Sequence, residues 1–219
     1  DGNYLWAVSF GDASGDTAFD VATDAQDNVL IVGNFLGNVS FGGTSHAAEK
    51  GTNAFIAKLS SAGTWVAGTS WSRSFGGAPT VAAETAVATA AAFDSNGDVV
   101  VAGNFYGASS FGSATLTSAG ERDIFIAKYS GSNGVHRWSR RAGGPRSDTV
   151  SALALDGNDN ATITGHFMGS AAFGTATEEI LGNPLSVASA GSLDTYLARY
   201  DVTGFPLSVQ PYGGAGWDE

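Results

Sequence analysis

Apolar positions along this chain come in short bursts separated by Gly, Asp and Asn, the punctuation of a β-rich protein. In the first third, the bursts Leu5 to Phe10, Ala18 to Thr23, Val29 to Phe35 and Ala54 to Leu59 read as four short strands. Val29-Leu-Ile-Val and Val99-Val-Val-Ala are continuous rather than alternating, which predicts strands covered on both faces. Asn96-Gly97 predicts a hairpin with a type I′ turn, because that pair best tolerates two positive φ angles. The Ala-rich stretch from Val81 to Phe93 favours a helix by propensity alone. Its counterparts from Asp16 to Thr23 and Asp148 to Leu155 are strand-like, so we expect a strand there too.

Those counterparts exist because the chain repeats itself. Asp24-Ala-Gln-Asp-Asn-Val-Leu-Ile-Val-Gly-Asn-Phe returns as Asp94-Ser-Asn-Gly-Asp-Val-Val-Val-Ala-Gly-Asn-Phe and as Asp156-Gly-Asn-Asp-Asn-Ala-Thr-Ile-Thr-Gly-His-Phe, 70 and then 62 residues on. Phe41-Gly, Phe111-Gly and Phe173-Gly keep the same offsets, and Asn53-Ala-Phe-Ile-Ala-Lys-Leu matches Asp123-Ile-Phe-Ile-Ala-Lys-Tyr and Asp194-Thr-Tyr-Leu-Ala-Arg-Tyr. A fourth motif occurs four times, as Ala7-Val-Ser-Phe-Gly, Arg73-Ser-Phe-Gly-Gly, Arg140-Arg-Ala-Gly-Gly and Gln210-Pro-Tyr-Gly-Gly. The chain, 1-219, thus reads as one domain of three units of about 67 residues, 11-76, 77-143 and 144-213, with 1-10 and 214-219 as overhanging ends and one surplus strand. Four antiparallel strands per unit, apolar on both faces and repeated in tandem, predict an all-β fold of β-propeller blades. A solenoid would have a shorter period, and a sandwich has no reason to repeat three times. Three blades cannot close a ring, so the expected ring is completed by the rest of a longer chain or by another copy. The opening Asp1 is read in the same sense, as the start of a processed product or of a segment.

Composition narrows the function. Of 219 residues 31 are Gly, while 43% are hydrophobic and 14% charged, enough apolar matter for a core. The formal charge of −11 repels phosphate backbones and anionic lipid, which argues against nucleic acid as a partner, and the basic cluster Arg137, Arg140, Arg141 and Arg146 is too small to reverse this. No apolar run reaches spanning length, so no membrane insertion is expected. Without Cys there are no disulfides, thiolate metal sites or Cys nucleophiles.

The order Phe-Gly-Gly, an acidic residue with an Ala-rich strand, Asp-x-x-Gly/Asp-Asn/Asp-Val-x-x-x-Gly, Phe-Gly and Gly-x-x-Asp-x-Phe-x-Ala-Lys resembles the SBBP repeat, a seven-bladed β-propeller repeat of bacterial secreted and surface proteins. Ser118-Ala-Gly-Glu-Arg-Asp-Ile-Phe-Ile-Ala-Lys-Tyr is the nearest stretch, and the likeness covers almost the whole chain. It departs from the pattern at Asn53, Arg199 and His166. The resemblance implies a propeller and an extracellular or cell-surface location, and says little about activity.

Catalytic signatures are thin. There is no Gly-x-Ser-x-Gly elbow, no His-Glu-x-x-His pair among His46, His136 and His166, and no phosphate loop. Ser60-Ser-Ala-Gly-Thr-Trp65 resembles the end of an Asp-box but reads as a turn before an aromatic residue. Asp94, Asn96 and Asp98, and again Asp156, Asn158 and Asn160, imitate the oxygen spacing of calcium loops without the Gly and Glu that complete them, so self-capped turns are the plainer reading. Asp16, Glu84, Asp148 and Asp218 follow the Phe-Gly-Gly turns, with Asp123 and Asp194 ahead of the last strand. They read either as an acidic ring at a channel mouth that attracts a cation or basic partner, or as acceptors for backbone amides between blades. Lys58, Lys128 and Arg199 read as partners for those acids. Trp6, Trp71 and Trp138 fall near the same strand in successive units and read as packing, leaving Trp217 as the least constrained binding candidate. The sequence therefore predicts a non-enzymatic extracellular module for protein interaction or scaffolding, with residues 42-52, 113-122 and 175-193 as variable loops. A glycan-binding lectin is the alternative, and a hydrolase or lyase would need exposed paired carboxylates in the channel.

Overall fold

The computed structural model describes residues 2–48, 51–76, 86–112, 115–174 and 185–216. Their regular structure is all strand. The first sheet joins β1 (Asp16–Thr23), β2 (Val29–Phe35), β5 (Asn53–Leu59) and β6 (Trp71–Phe75), in that order and antiparallel throughout, with β3 (Asn38–Ser40) and β4 (Ser45–Ala47) as a separate hairpin between β2 and β5. The second consists of β7 (Ala86–Phe93), β8 (Val99–Ser110), β9 (Thr115–Tyr129) and β10 (His136–Ala142), where β8 and β9 run on to form the outer hairpin themselves. The third repeats the first, with β11 (Thr149–Leu155), β12 (Ala161–Phe167), β15 (Asp194–Tyr200) and β16 (Pro206–Tyr212), and with β13 (Ser170–Ala172) paired to β14 (Ser186–Ala188).

The first two sheets are apolar on both faces because their middle strands carry unbroken hydrophobic runs, whereas β12 of the third alternates apolar residues with threonine. Val99 and Val101 of β8 pack with Leu30, Val32, Ala54 and Ile56 of the first sheet, while Val100 and Ala102 face Ile163, Ala198 and their neighbours in the third. The sheets therefore stack face to face in sequence order. The first strands line up along one side, β1 beside β7 and β7 beside β11, and the first pair in every sheet carries a bulge at the same place, Ala18/Asp20, Ala88/Ala90 and Val150/Ala152. The middle strand β7 lies between two others, which explains its alanines: Ala86, Ala88, Ala90 and Ala91 are buried where larger side chains would hold the sheets apart. The strand expected there is found over Ala86–Phe93, and residues 81–85 lie outside the described residues.

Two sequence expectations need correction. Leu5 to Phe10 is not a strand: it is extended and exposed, with Tyr4 79% and Leu5 85% accessible, and the fourth strand of the first sheet is Trp71–Phe75 instead. Each sheet begins with the strand that packs beside the first strands of its neighbours and ends at the opposite edge, so Leu5 to Phe10 corresponds to β6 and β10 but has no third strand beside it among the described residues. The turn at Asn96-Gly97 is not type I′. Gly97 alone has positive φ, at 77°, and its amide closes onto the Asp94 carbonyl at 2.9 Å. The loop spans Asp94 to Asp98, long enough for an ordinary turn ending in one left-handed residue. Asp27 (φ 59°) and Asp159 (φ 62°) occupy the same place in the other sheets.

The outward faces at the two sides of the stack differ. On the first sheet, Ile31, Phe35, Phe55, Ala57 and Leu59 form an apolar face partly covered by Phe10. On the third, Thr162, Thr164 and Thr195 stand where the first two sheets have Leu30 and Val100, Val32 and Ala102, and Ala54 and Ile124, so this face is edged with hydroxyls.

Candidate functional site

The aspartates of the calcium-like loops lie at one end of the sheets. Asp94 Oδ1 accepts the amides of Asn96 and Asp98, both 2.8–2.9 Å away, and Oδ2 meets Lys128 at 2.6 Å. Asp24 takes the amides of Gln26 and Asn28 and pairs with Lys58 at 2.8 Å, and Asp156 takes those of Asn158 and Asn160 and pairs with Arg199 at 2.7 Å. Burial alone would push Asp24 up, but Lys58 and the Asn28 and Gln26 donors outweigh it and hold the carboxyl at about 2. Asp156 is likewise held at about 2, first by the Asn160 side-chain amide. Asp98 is occupied elsewhere, by the Gly131 amide and by Arg137 at 3.5 Å. These are Asx turns locked by a cation, and among the described residues no three His, Cys, Asp or Glu come together to hold a metal. The basic residues pair here, not with the acids after the Phe-Gly-Gly turns.

Those other acids lie at the opposite end and accept amides from their own loops. Asp16 Oδ2 takes Asp12 N–H at 3.0 Å, Asp123 takes Ala119 at 2.9 Å, Asp148 takes Gly144 at 2.6 Å and Asp194 takes Ala190 at 2.6 Å. Asp123, Asp148 and Asp194 are buried, so they do not form an exposed acidic ring. Strand register also interrupts the series: Asp16 faces Phe35, and the residue facing Phe105 in the second sheet is Ala86. Glu84, Trp217 and Asp218 lie outside the described residues.

One meeting escaped the sequence. Arg141 Nη1 sits 2.7 Å from Asp123 Oδ2, at the junction where Asp148 enters from the third unit. Its counterparts in the other sheets are Ser74 and Pro211, so no repeat signal marked it. A cavity of about 570 Å³ opens beside this junction, lined by Arg141, Gly143, Gly144, Pro145 and the β13–β14 hairpin. Asp123 and Asp148 both border Gly143 here, and both are buried.

The three tryptophans make one contact three times. Trp6, Trp71 and Trp138 each donate an indole N–H to a carbonyl in the turn after the third strand of the following sheet: Ser61 at 2.9 Å, Gly131 at 2.9 Å and Val202 at 3.0 Å. Each ring lies over a glycine with positive φ, Gly63 (69°), Gly134 (65°) or Gly204 (78°), where a Cβ would come within 2.5–2.7 Å of the indole. Phe10 meets Phe41 with ring centroids 5.0 Å apart, as Phe75 meets Phe111 at 5.6 Å. The segment Leu5 to Phe10 therefore sits on the first sheet as β6 sits on the second. Between it and that sheet a groove of about 230 Å³ remains, lined by Trp6, Val8, Phe10, Ile31 and Phe55 among others. At the next junction the side chains of Leu30, Val32, Ala54 and Ile56 fill the equivalent space. Trp65 of the Asp-box-like stretch packs over Gly42 and Gly43, and its turn closes through Gly63 N–H to Ser60 O at 2.8 Å.

No protein-family model matches this sequence, and no curated protein matches it either. Among the described residues no helix is long and apolar enough to cross a membrane.

Proposed function

We propose that the three sheets are neighbouring blades of a β-propeller of the SBBP-like kind, with the ring completed by further blades, and that the module serves as a non-enzymatic extracellular protein for interaction or scaffolding. The observation that carries this reading is the tryptophan contact made at Trp6, Trp71 and Trp138, which joins β6, β10 and the unpaired segment before β1 to the following sheet in one geometry. The side-by-side first strands β1, β7 and β11 support it, since blades pack with their inner strands around an axis. An interaction role is supported by where the units differ: the strands keep their register, while the outer hairpins range from the three-residue strands β3 and β4 to the long β8–β9 extension.

Blades and a linear stack respond differently to added repeats. Appending copies of residues 77–143 should raise the melting temperature gradually until the ring closes, then abruptly, with slowed amide exchange at Phe19 and Val21 of β1. A steady rise without a closing step would favour an open stack and end the propeller reading. For the interaction role, a photo-crosslinking residue placed at Ser45, Ser118 or Ser186 on intact source cells should capture a defined protein band. Loss of crosslinks at all three hairpins would remove that role.

A further inference from the structure

We propose that Asp148 and Asp123 share a single proton across the junction of the second and third sheets, and that releasing it to water loosens that junction. Asp148 ties three pieces of chain together. Its amide donates to Arg122 O at 2.7 Å, its Oδ2 accepts Gly144 N–H at 2.6 Å and its Oδ1 accepts Met168 N–H at 3.3 Å. Asp123, on β9, gives Oδ2 to Ala119 N–H and Arg141, but its Oδ1 is buried with no partner. Both side chains are 0% exposed. Both flank one point above Gly143, where a Cβ would lie 2.8 Å from Asp123 Oδ1 and 3.0 Å from Asp148 Oδ2.

The charges facing this point do not balance if both acids ionise. From β10 comes one cation, Arg141, bound to Asp123. From β15 comes the neutral phenol of Tyr196, which donates to Thr149 O at 3.0 Å and is held well above its usual range, first by burial and also by the charges of Tyr200 and Asp148. Arg122 turns to the ring of Tyr106, 5.3 Å away, and Arg146 lies beside Gly169. Among the described residues, two carboxylates against one guanidinium leave a net negative charge in a buried place, and one added proton removes it. That proton also supplies a donor in a place where Asp123 Oδ1 lacks one. Burial first, and then the charge of Asp123, push Asp148 up to about 7, while burial raises Asp123 as well, so the pair titrates together. The junction between the first and second sheets contains its own control. The corresponding positions there are Asn53, Ala86 and Ser74, none of which titrates, and Ala86 N–H donates to Thr52 O at 3.1 Å just as Asp148 N–H donates to Arg122 O.

For an acid whose folded pKa lies above its unfolded one, the folded state holds the proton more tightly. Its contribution is therefore greatest below the unfolded value near 3.8, declines as pH rises toward 7, and stays lost above. Amide exchange on the full chain tests this. The opening constants at Asp148, Gly144 and Met168 should rise about tenfold per pH unit between pH 5 and 7 and level off above 8. That at Ala86 should stay flat. In Asp148→Asn, which keeps the neutral form, the slope at Gly144 and Met168 should vanish. If that variant does not fold, the carboxyl ¹³C shift of Asp148 in the native chain decides: a midpoint near 7 supports the shared proton, and one at or below 4 overturns it. A flat wild-type profile between pH 5 and 8, or an unchanged slope in Asp148→Asn, also overturns it. Neither result bears on the ring-closure test, so this proposal can fail while the propeller reading stands.

Discussion

At the level of single residues, the repeat assigns several polar groups one structural duty three times over, which makes the cost of removal open to calculation. Lys128 is buried against Asp94, so Lys128→Met leaves an uncompensated carboxylate and should cost about 3–5 kcal/mol in chemical denaturation. Adding Asp94→Asn should recover much of that loss, because the orphaned charge goes with it. Gly103 illustrates a second kind of constraint. A Cβ there would collide with Val87 O and the Phe125 ring, and Gly33 and Gly165 meet the equivalent carbonyls of Thr17 and Thr149. Gly103→Ala should therefore destabilise by about 3 kcal/mol although its side chain is a single methyl. The Gly of the repeated Gly-Asn/His-Phe motif is legible in the sequence as an invariant of the three units. Its reason, close approach of a neighbouring strand, is legible only in the fold.

At the level of elements, the last strand of each of the first two sheets is also a tie to the next sheet. Trp71 is 4% exposed and Trp6 37%, because Trp71 belongs to a paired strand and Trp6 to an unpaired segment. Trp71→Ala should cost about 3–5 kcal/mol, while Trp6→Ala should cost about 1 kcal/mol and speed amide exchange only in the first sheet. The sequence placed the strands well because the hydrophobic runs and the repeat agree, and the repeat overruled the helix propensity of Ala86–Phe93. It misassigned Leu5 to Phe10, since an apolar stretch becomes a strand only where a partner edge exists. It misjudged the Asn96-Gly97 turn because dipeptide preference does not report loop length. It also matched Lys58, Lys128 and Arg199 to acids at the wrong end of the sheets, as spacing along a strand does not say which end a side chain reaches.

At the level of the whole molecule, the acids divide into two groups with opposite pH dependence. Asp24 and Asp156, held at about 2, contribute stability that is present above their unfolded value of 3.8 and is lost as pH falls from about 4 to 2. The unfolding midpoint should therefore drop over that range, and Asp24→Asn should flatten part of the decline in urea titrations. With Asp148 acting in the other direction above that range, the most stable pH should lie near 4 to 5, on the acidic side of neutral. The junction behind that second limb was illegible in the sequence, because Asp123, Arg141 and Asp148 come from two units and only one of the two junctions between the described sheets has them. The substitution of Thr162, Thr164 and Thr195 for aliphatic residues has a consequence for assembly. One side of the stack is apolar and partly covered by Phe10 while the other carries hydroxyls, so the two faces set different chemical conditions, and a surface suited to pack on one is not suited to the other.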